Sequence, residues 1–169
     1  MTERAATHAT FVIERSYDAS PARVFKAWAD PAAKARWFAG PSDWKLVDRA
    51  IDFRVGGREH LRGAWPSGTI SAFDAQYHDI VPDQRIIYAY DMRLDERHIS
   101  VSLATVELKP AGKSTRLIFT EQAAFLDGYD DAGGRERGTG ALLDKLGAEL
   151  RLHLQNAAPG RLSSQFILK

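Results

Sequence analysis

Arg135-Glu136-Arg137-Gly138-Thr139-Gly140-Ala141-Leu142-Leu143-Asp144-Lys145-Leu146-Gly147-Ala148-Glu149-Leu150-Arg151-Leu152-His153-Leu154 is the stretch that decides the fold. Leu143, Leu146, Leu150 and Leu154 recur at three- and four-residue spacing, with Leu142 beside them. That is the period of an amphipathic helix. Arg135, Glu136, Asp144, Lys145, Glu149 and Arg151 fill most of the other faces. The pattern predicts a helix over 135–156, stopped by Pro159-Gly160. At about 1.5 Å per residue it reaches about 30 Å, enough to cross a small domain. A helix with one apolar stripe needs a surface to cover.

The preceding sequence supplies that surface. From Trp44 to Gln122 the chain is a series of β-like runs: 44–55, 58–65, 69–80, 85–92, 98–109 and 115–122. Gly56-Gly57, Pro66-Ser67-Gly68, Pro82-Asp83, Asp95-Glu96-Arg97 and Pro110-Ala111-Gly112 separate them. Connections this short imply hairpins and an antiparallel meander. Residues 9–17, rich in β-branched and aromatic types, add a strand at the start. Ser20-Pro21 and Asp30-Pro31 each combine an N-cap with a proline at the first helical position, so two short helices follow it. Residues 127–134 are a polar loop. The expected fold is α+β: a seven-stranded curved antiparallel sheet wrapped around a long C-terminal helix, with two short helices after strand 1. One domain is expected over 1–156, with a tail over 157–169. The tail's Phe166-Ile167-Leu168 cluster is a candidate homodimer contact.

Composition narrows the functional classes. The 169 residues carry 23 Lys plus Arg against 22 Asp plus Glu. A net charge of +1 lacks the basic excess of a nucleic-acid-binding domain. With no cysteine there is no thiolate nucleophile and no sulfur-ligated zinc. The first seven residues show no apolar secretory segment, and no run is long enough to span a bilayer. A cytoplasmic location follows as the expectation. His8, His60, His78, His98 and His153 are scattered, without the paired helical spacing of a zinc site, so neither metal nor cofactor is expected. Gly56-Gly57 lacks the further glycines and the helix of a nucleotide loop and reads as a bulge or tight turn. The spacing of Asp127, Asp130 and Asp131 does not fit an EF-hand.

Strand alternation selects a concave face, because every second residue shares a side. The apolar parity comprises Val47, Ile51, Phe53 and Val55; Leu61 and Trp65; Phe73, Ala75 and Tyr77; Ile86, Tyr88, Tyr90 and Met92; Ile99, Val101 and Leu103; and Leu117 and Phe119. These would lie beneath the long helix, with Leu142 and Leu146 facing them. Three tyrosines on one face favour a cavity over a filled core, since a buried phenol needs a polar partner. The same parity turns Arg15, Arg49, Glu59 and Glu121 inward. Such charges must pair or sit at a rim. Arg49, Glu59 and Glu121 are therefore candidate anchors for a ligand head group.

The order of elements is the helix-grip arrangement, and particular residues sharpen the match. They are Arg15-Ser16-Tyr17-Asp18-Ala19-Ser20-Pro21, Val24-Phe25-Lys26-Ala27-Trp28, Asp30-Pro31, Arg36-Trp37-Phe38 and Asp52-Phe53-Arg54-Val55-Gly56-Gly57. Tyr77 through Pro82, Arg85-Ile86-Ile87-Tyr88, Glu121-Gln122, Arg137-Gly138-Thr139 and Leu142-Leu143-Asp144-Lys145-Leu146 complete the set. In this order and spacing, over about residues 9–155, the chain resembles the SRPBCC or START-like superfamily. The branch it is similar to holds the C-terminal domain of the activator of the heat-shock chaperone ATPase. One departure is visible: where many members carry Gly-Trp at the start of the last helix, this chain has Gly138-Thr139. A tryptophan that would help plug the cavity mouth is absent.

The resemblance implies several activities, because one fold hosts lipid carriers, hormone receptors, polyketide cyclases and chaperone activators. The first expectation is non-enzymatic binding of a small hydrophobic or amphipathic ligand between sheet and helix. The second is a protein-binding domain that stimulates a chaperone ATPase. The third is a polyketide cyclase-like enzyme using Glu59, Glu121 or the inward tyrosines as acid or base.

Overall fold

The computed structural model describes residues 3–156. The tail over 157–169, with its candidate dimer contact, lies outside them. Strand β1 (Ala6–Tyr17) leads into helices α1 (Pro21–Ala29) and α2 (Pro31–Trp37). Six strands follow: β2 (Lys45–Ile51), β3 (Arg58–Ala64), β4 (Ile70–Val81), β5 (Arg85–Leu94), β6 (Arg97–Ala111) and β7 (Ser114–Leu126). Helix α3 (Ala132–Asn156) is last. The fold is the expected α+β helix grip, with one seven-stranded sheet in the order β1-β7-β6-β5-β4-β3-β2. Every neighbouring pair is antiparallel.

Both short helices are set by their caps. The Ser20 hydroxyl accepts from the Arg23 backbone N–H at 3.3 Å, and the Asp30 carboxylate accepts from Ala33 at 3.0 Å. Each helix opens on a proline, whose missing N–H costs nothing at that position. Their shared corner closes when the Trp37 indole donates to the Ala27 carbonyl at 2.9 Å.

Helix α3 approaches the sheet backbone along β1 and touches α1 and α2 on its other flank. Tyr17 in β1 donates to the Leu143 carbonyl at 2.7 Å, tying helix to strand. Arg15 reinforces this edge with Asp144 at 2.8 Å. Leu143, Leu146 and Leu150 are buried in one core with Val24, Trp28, Trp37, Ile86, Val106, Leu117 and Phe119. Fully burying each large side chain contributes about 1.5–3 kcal/mol. The helix begins three residues before the expected start, at Ala132, where the Asp131 carboxylate accepts from the Gly134 N–H at 2.7 Å.

Bulges change which residues face inward. In β2 the pairing jumps from Leu46–Gly63 to Asp48–Arg62, leaving Val47 as the extra residue. Val47 is 56% exposed, contrary to its expected inward position. In β6 the pairing jumps from Arg93–His98 to Met92–Ser100, so Ile99 is extra. Ile99 and Ser100 are then both buried, and every later side chain switches faces. Val101 and Leu103, expected inward, stand on the convex face at 43% and 39% exposure. Ser102, Ala104, Val106 and Leu108 take the concave face instead. Strand β2 ends at Ile51 rather than 55, because residues 54–57 form a tight turn in which Gly57 donates to the Arg54 carbonyl and Gly56 takes a φ of +83°. Val55 is turned outward by it.

Candidate functional site

Between the concave face and α3 lies a cleft of about 680 Å³. Ten aromatic residues stand in its wall: Trp28, Trp37, Phe38, Trp44, Trp65, Phe73, Tyr88, Tyr90, Phe119 and Tyr129. The inner rings interlock. Trp28 meets Trp37 edge-on at 4.8 Å, Phe38 meets Phe73 at 5.1 Å, and Phe73 lies 4.9 Å from Tyr90. Such pairs fix ring orientation as well as adding apolar area. Trp44 lies across Gly63 of β3 and donates to the Ser71 hydroxyl at 3.2 Å. A Cβ at Gly63 would fall 1.7 Å from the Trp44 ring, so only glycine permits this seat.

The mouth is bounded by the connector Ala39–Pro41, by Trp65 and Tyr129, and by the first turns of α3. Lys145 on α3 donates to the carbonyls of Ala39 and Gly40 at 3.0 and 3.1 Å, tethering that connector. Gly138 and Thr139 line the opening, and the space where a Gly138 side chain would lie is empty.

The polar end of the cleft is built around Glu121. Its carboxylate is 0% exposed and accepts from the Tyr90 hydroxyl at 2.8 Å and the Ser102 hydroxyl at 2.8 Å. Arg135, from the first turn of α3, lies 3.5 Å from it. Arg135 also donates to Tyr90 at 2.9 Å, Ser100 at 2.7 Å and Asp130 at 2.9 Å. Burial pushes the Glu121 carboxyl above its ordinary range, against the opposing pull of Arg135, Ser102 and Tyr90. Burial also works against the Arg135 charge, but Tyr90, Glu121 and Asp130 outweigh it and hold the guanidinium above its usual value.

A second buried carboxylate stands apart from the cleft. Glu59 accepts from Lys34 of α2 at 2.5 Å and from the Tyr77 hydroxyl at 2.6 Å. Lys34 donates to Tyr77 as well, at 3.1 Å. Its ammonium lies 4.7 Å from the centre of the Phe38 ring and 5.4 Å from that of Trp28. Burial lowers the Lys34 pKa, partly offset by the Glu59 charge.

The structure therefore divides the residues singled out in the sequence. Leu61, Trp65, Phe73, Tyr88, Tyr90, Phe119, Glu121 and Leu142 line the cleft. Glu59 and Tyr77 are inward but consumed by Lys34. Arg49 donates to the Phe38 carbonyl at the root of the connector and does not reach the cleft. Ile51 packs beside the core, and Phe53 meets Phe25 and Tyr77 edge-on. Leu146 is core. Val47, Val101 and Leu103 are outside, for the reasons given above.

Sequence reasoning missed Lys34, Ser100, Ser102 and Arg135, and it assigned Arg135 and Glu149 to the outer faces of α3. Yet Arg135 precedes Thr139, Leu142 and Leu146 at helical spacing, so periodicity places it on the cleft side. Lys34 lies three residues before Trp37 and shares its face. Glu149 is buried, 2.5 Å from Arg36. Ser100 and Ser102 gave no signal, because the bulge that turns them inward leaves no mark in the hydrophobic pattern. Among the described residues, no group of three or more His, Asp or Glu side chains comes together as a metal site would require.

Comparison with known proteins agrees with this fold. The solved structure of an uncharacterized protein from Rhizobium leguminosarum is 50% identical, with a TM-score of 0.86, covering 89% of this chain and 99% of that one. Mll3558 from Rhizobium loti is 49% identical, with a TM-score of 0.80 and coverages of 86% and 99%. CV1439 from Chromobacterium violaceum is 28% identical at a TM-score of 0.68, covering 83% and 96%. No curated protein matches. Residues 18–151 match the family described as Activator of Hsp90 ATPase homolog 1-like protein. The chain belongs to that family, within the SRPBCC superfamily.

Proposed function

We propose that this protein binds a small hydrophobic or amphipathic molecule in the cleft between the sheet and α3, without transforming it. The observation that carries this reading is the cleft itself. About 680 Å³ lies within the range of small-molecule sites, and its wall holds ten aromatic residues, with a few fixed polar groups at one end. A core meant only for stability would close such a volume, because unfilled space beside apolar side chains costs contact energy. The balanced charge and lack of cysteine fit a carrier working in a reducing cytoplasm.

The test is direct. Purified protein is titrated with a solvatochromic naphthalene dye and examined by native mass spectrometry for retained cellular molecules. Saturable one-to-one binding with a blue-shifted emission supports the reading. Absence of both dye binding and retained mass overturns it.

A second reading is favoured by the family match: a protein-binding domain that stimulates a chaperone ATPase. Adding the protein to purified Hsp90 and following ATP hydrolysis decides it, and an unchanged rate rejects it.

A further inference from the structure

Three phenols adjoin on the concave face. Tyr88 in β5 pairs directly with Tyr77 in β4 and lies two residues from Tyr90. Its ring centre is 5.9 Å from that of Tyr77 and 5.9 Å from that of Tyr90. Both neighbours are spent on carboxylates: the Tyr77 hydroxyl donates to Glu59 at 2.6 Å and the Tyr90 hydroxyl to Glu121 at 2.8 Å. Tyr88, only 4% exposed, has no hydrogen-bond partner among the described residues. Its hydroxyl is not sealed in either. Trp28 Nε1 is the one partnerless side-chain polar atom among the described residues that is closed off from solvent. The Tyr88 oxygen therefore keeps accessible surface, and the open volume that Tyr88 lines is the cleft. A buried phenol calls for a polar partner, and leaving its donor unmade is unfavourable. Burial, then Tyr90, Glu121 and Glu59, push this phenol well above its ordinary range, so the oxygen stays protonated.

We infer that Tyr88 is the polar contact for the bound molecule, its hydroxyl hydrogen-bonding to an uncharged carbonyl or hydroxyl oxygen on the part of the ligand that reaches β5. This inference rests on the proposed binding function and adds the chemistry of the ligand. A phenol both donates and accepts, so a carbonyl takes its proton and a hydroxyl bonds in either direction. The ligand group is uncharged because the charges of Glu59 and Glu121 both bear on the Tyr88 hydroxyl. The neighbouring cations are engaged: Lys34 holds Glu59 at 2.5 Å, and Arg135 holds Asp130 at 2.9 Å and lies 3.5 Å from Glu121. A carboxylate beside Tyr88 would lose its water and meet two like charges with no cation of its own. The anchor is then Tyr88 rather than Glu121.

The experiment uses three probes of similar shape, each displacing the naphthalene dye. They are 2-acetylnaphthalene, which has a carbonyl; 2-isopropenylnaphthalene, in which a methylene group replaces the oxygen; and 2-naphthoate, which has a carboxylate. Tyr88→Phe should weaken the ketone about 3- to 10-fold and leave the alkene within about 2-fold. The naphthoate should also change by no more than about 2-fold, because its charge keeps it away from Tyr88. In the protein without ligand, Tyr88→Phe should not lower the denaturant midpoint, whereas Tyr90→Phe, which loses a bond to Glu121, should lower it. Independently of any variant, the assigned Tyr88 Cζ resonance of the wild-type protein should shift further with the ketone than with the alkene. Equal losses for ketone and alkene, a Tyr88 resonance indifferent to the oxygen, or a midpoint that falls as far as that of Tyr90→Phe overturns the inference and leaves the binding function intact. A loss for the naphthoate as large as that for the ketone overturns the restriction to uncharged groups. If neither ketone nor alkene displaces the dye and the dye itself does not bind, the binding function fails and this inference fails with it.

Discussion

Two buried carboxylates on the same sheet face make opposite use of similar partners. Glu59 and Glu121 each accept from a tyrosine and each lie beside a cation. At Glu59 the cation is Lys34 of α2, and neither residue borders the cleft. At Glu121 the cation is Arg135 of α3, and both residues line the cleft, together with Tyr90. The first cluster fastens α2 to the sheet, and the second fastens the start of α3 at the wall of the cleft. Burial and perturbed charge occur in both, so neither property alone marks a binding site. Access to the cleft separates them.

The largest effect should come from breaking the closed cluster. Lys34→Ala strands Glu59 at 5% exposure without its hydrogen-bonded cation, leaving only the longer-range attraction of Arg49. Removing one partner of a buried pair costs about 3–5 kcal/mol. The urea midpoint should fall accordingly, while Lys34→Met combined with Glu59→Leu should recover most of the loss. A single variant costing under about 1 kcal/mol would show that Glu59 is not locked as described, and the contrast between the clusters would collapse.

Closing the cleft is the complementary change. Thr139→Trp places an indole at the mouth, beside the empty space over Gly138. Dye affinity should fall at least about tenfold, equivalent to about 1.4 kcal/mol of binding free energy. Stability should stay within about 1 kcal/mol, as for other substitutions away from the core. Unchanged affinity would place the dye elsewhere.

A subtler effect separates the clusters by pH. The Glu121 carboxyl is raised, so the folded protein holds its proton more strongly than the unfolded chain does. That contribution is complete below the ordinary value of 4.5 and fades as pH rises from there toward the folded-state value. Glu121→Gln removes the titration. Relative to wild type, the variant should therefore gain stability as pH rises above 4.5, measured as the difference in denaturant midpoints. The opposite sign would mean that Arg135 overrides burial at this site.

Much of this was legible in the sequence, and the failures have physical causes. The capped helices at Ser20 and Asp30, the six strands after Trp44 and the leucine-striped α3 follow from local rules that tertiary packing reinforced. Glu121 and Tyr90 were found because alternation holds unbroken along β5 to Met92 and along β7. Val101 and Leu103 were misplaced because the residue inserted in β6 inverts every later position, and Val47 because it is itself the residue inserted in β2; nothing in composition announces either insertion. Lys34 and Arg135 were missed because charge suggests solvent, although their helical spacing to Trp37 and Leu142 argued otherwise.

The inversion in β6 yields the smallest and most discriminating prediction. Unbroken alternation from Ile99 puts Val101 beneath α3, where a hydroxyl would be buried unpaired and cost about 1–3 kcal/mol. With Ile99 as the extra residue, Val101 instead sits on the convex face, opposite Ala124 and Asp91. Val101→Thr keeps the branched shape that suits a strand and adds only an exposed hydroxyl. Its denaturant midpoint should match wild type to within about 0.5 kcal/mol, and dye affinity should not move. Ser102→Ala, one residue along, removes a hydroxyl that donates to Glu121 at 2.8 Å and should cost about 1–2 kcal/mol. If the two outcomes were exchanged, β6 would have no bulge, Ser102 would leave Glu121, and the polar end of the cleft would lose one of its donors.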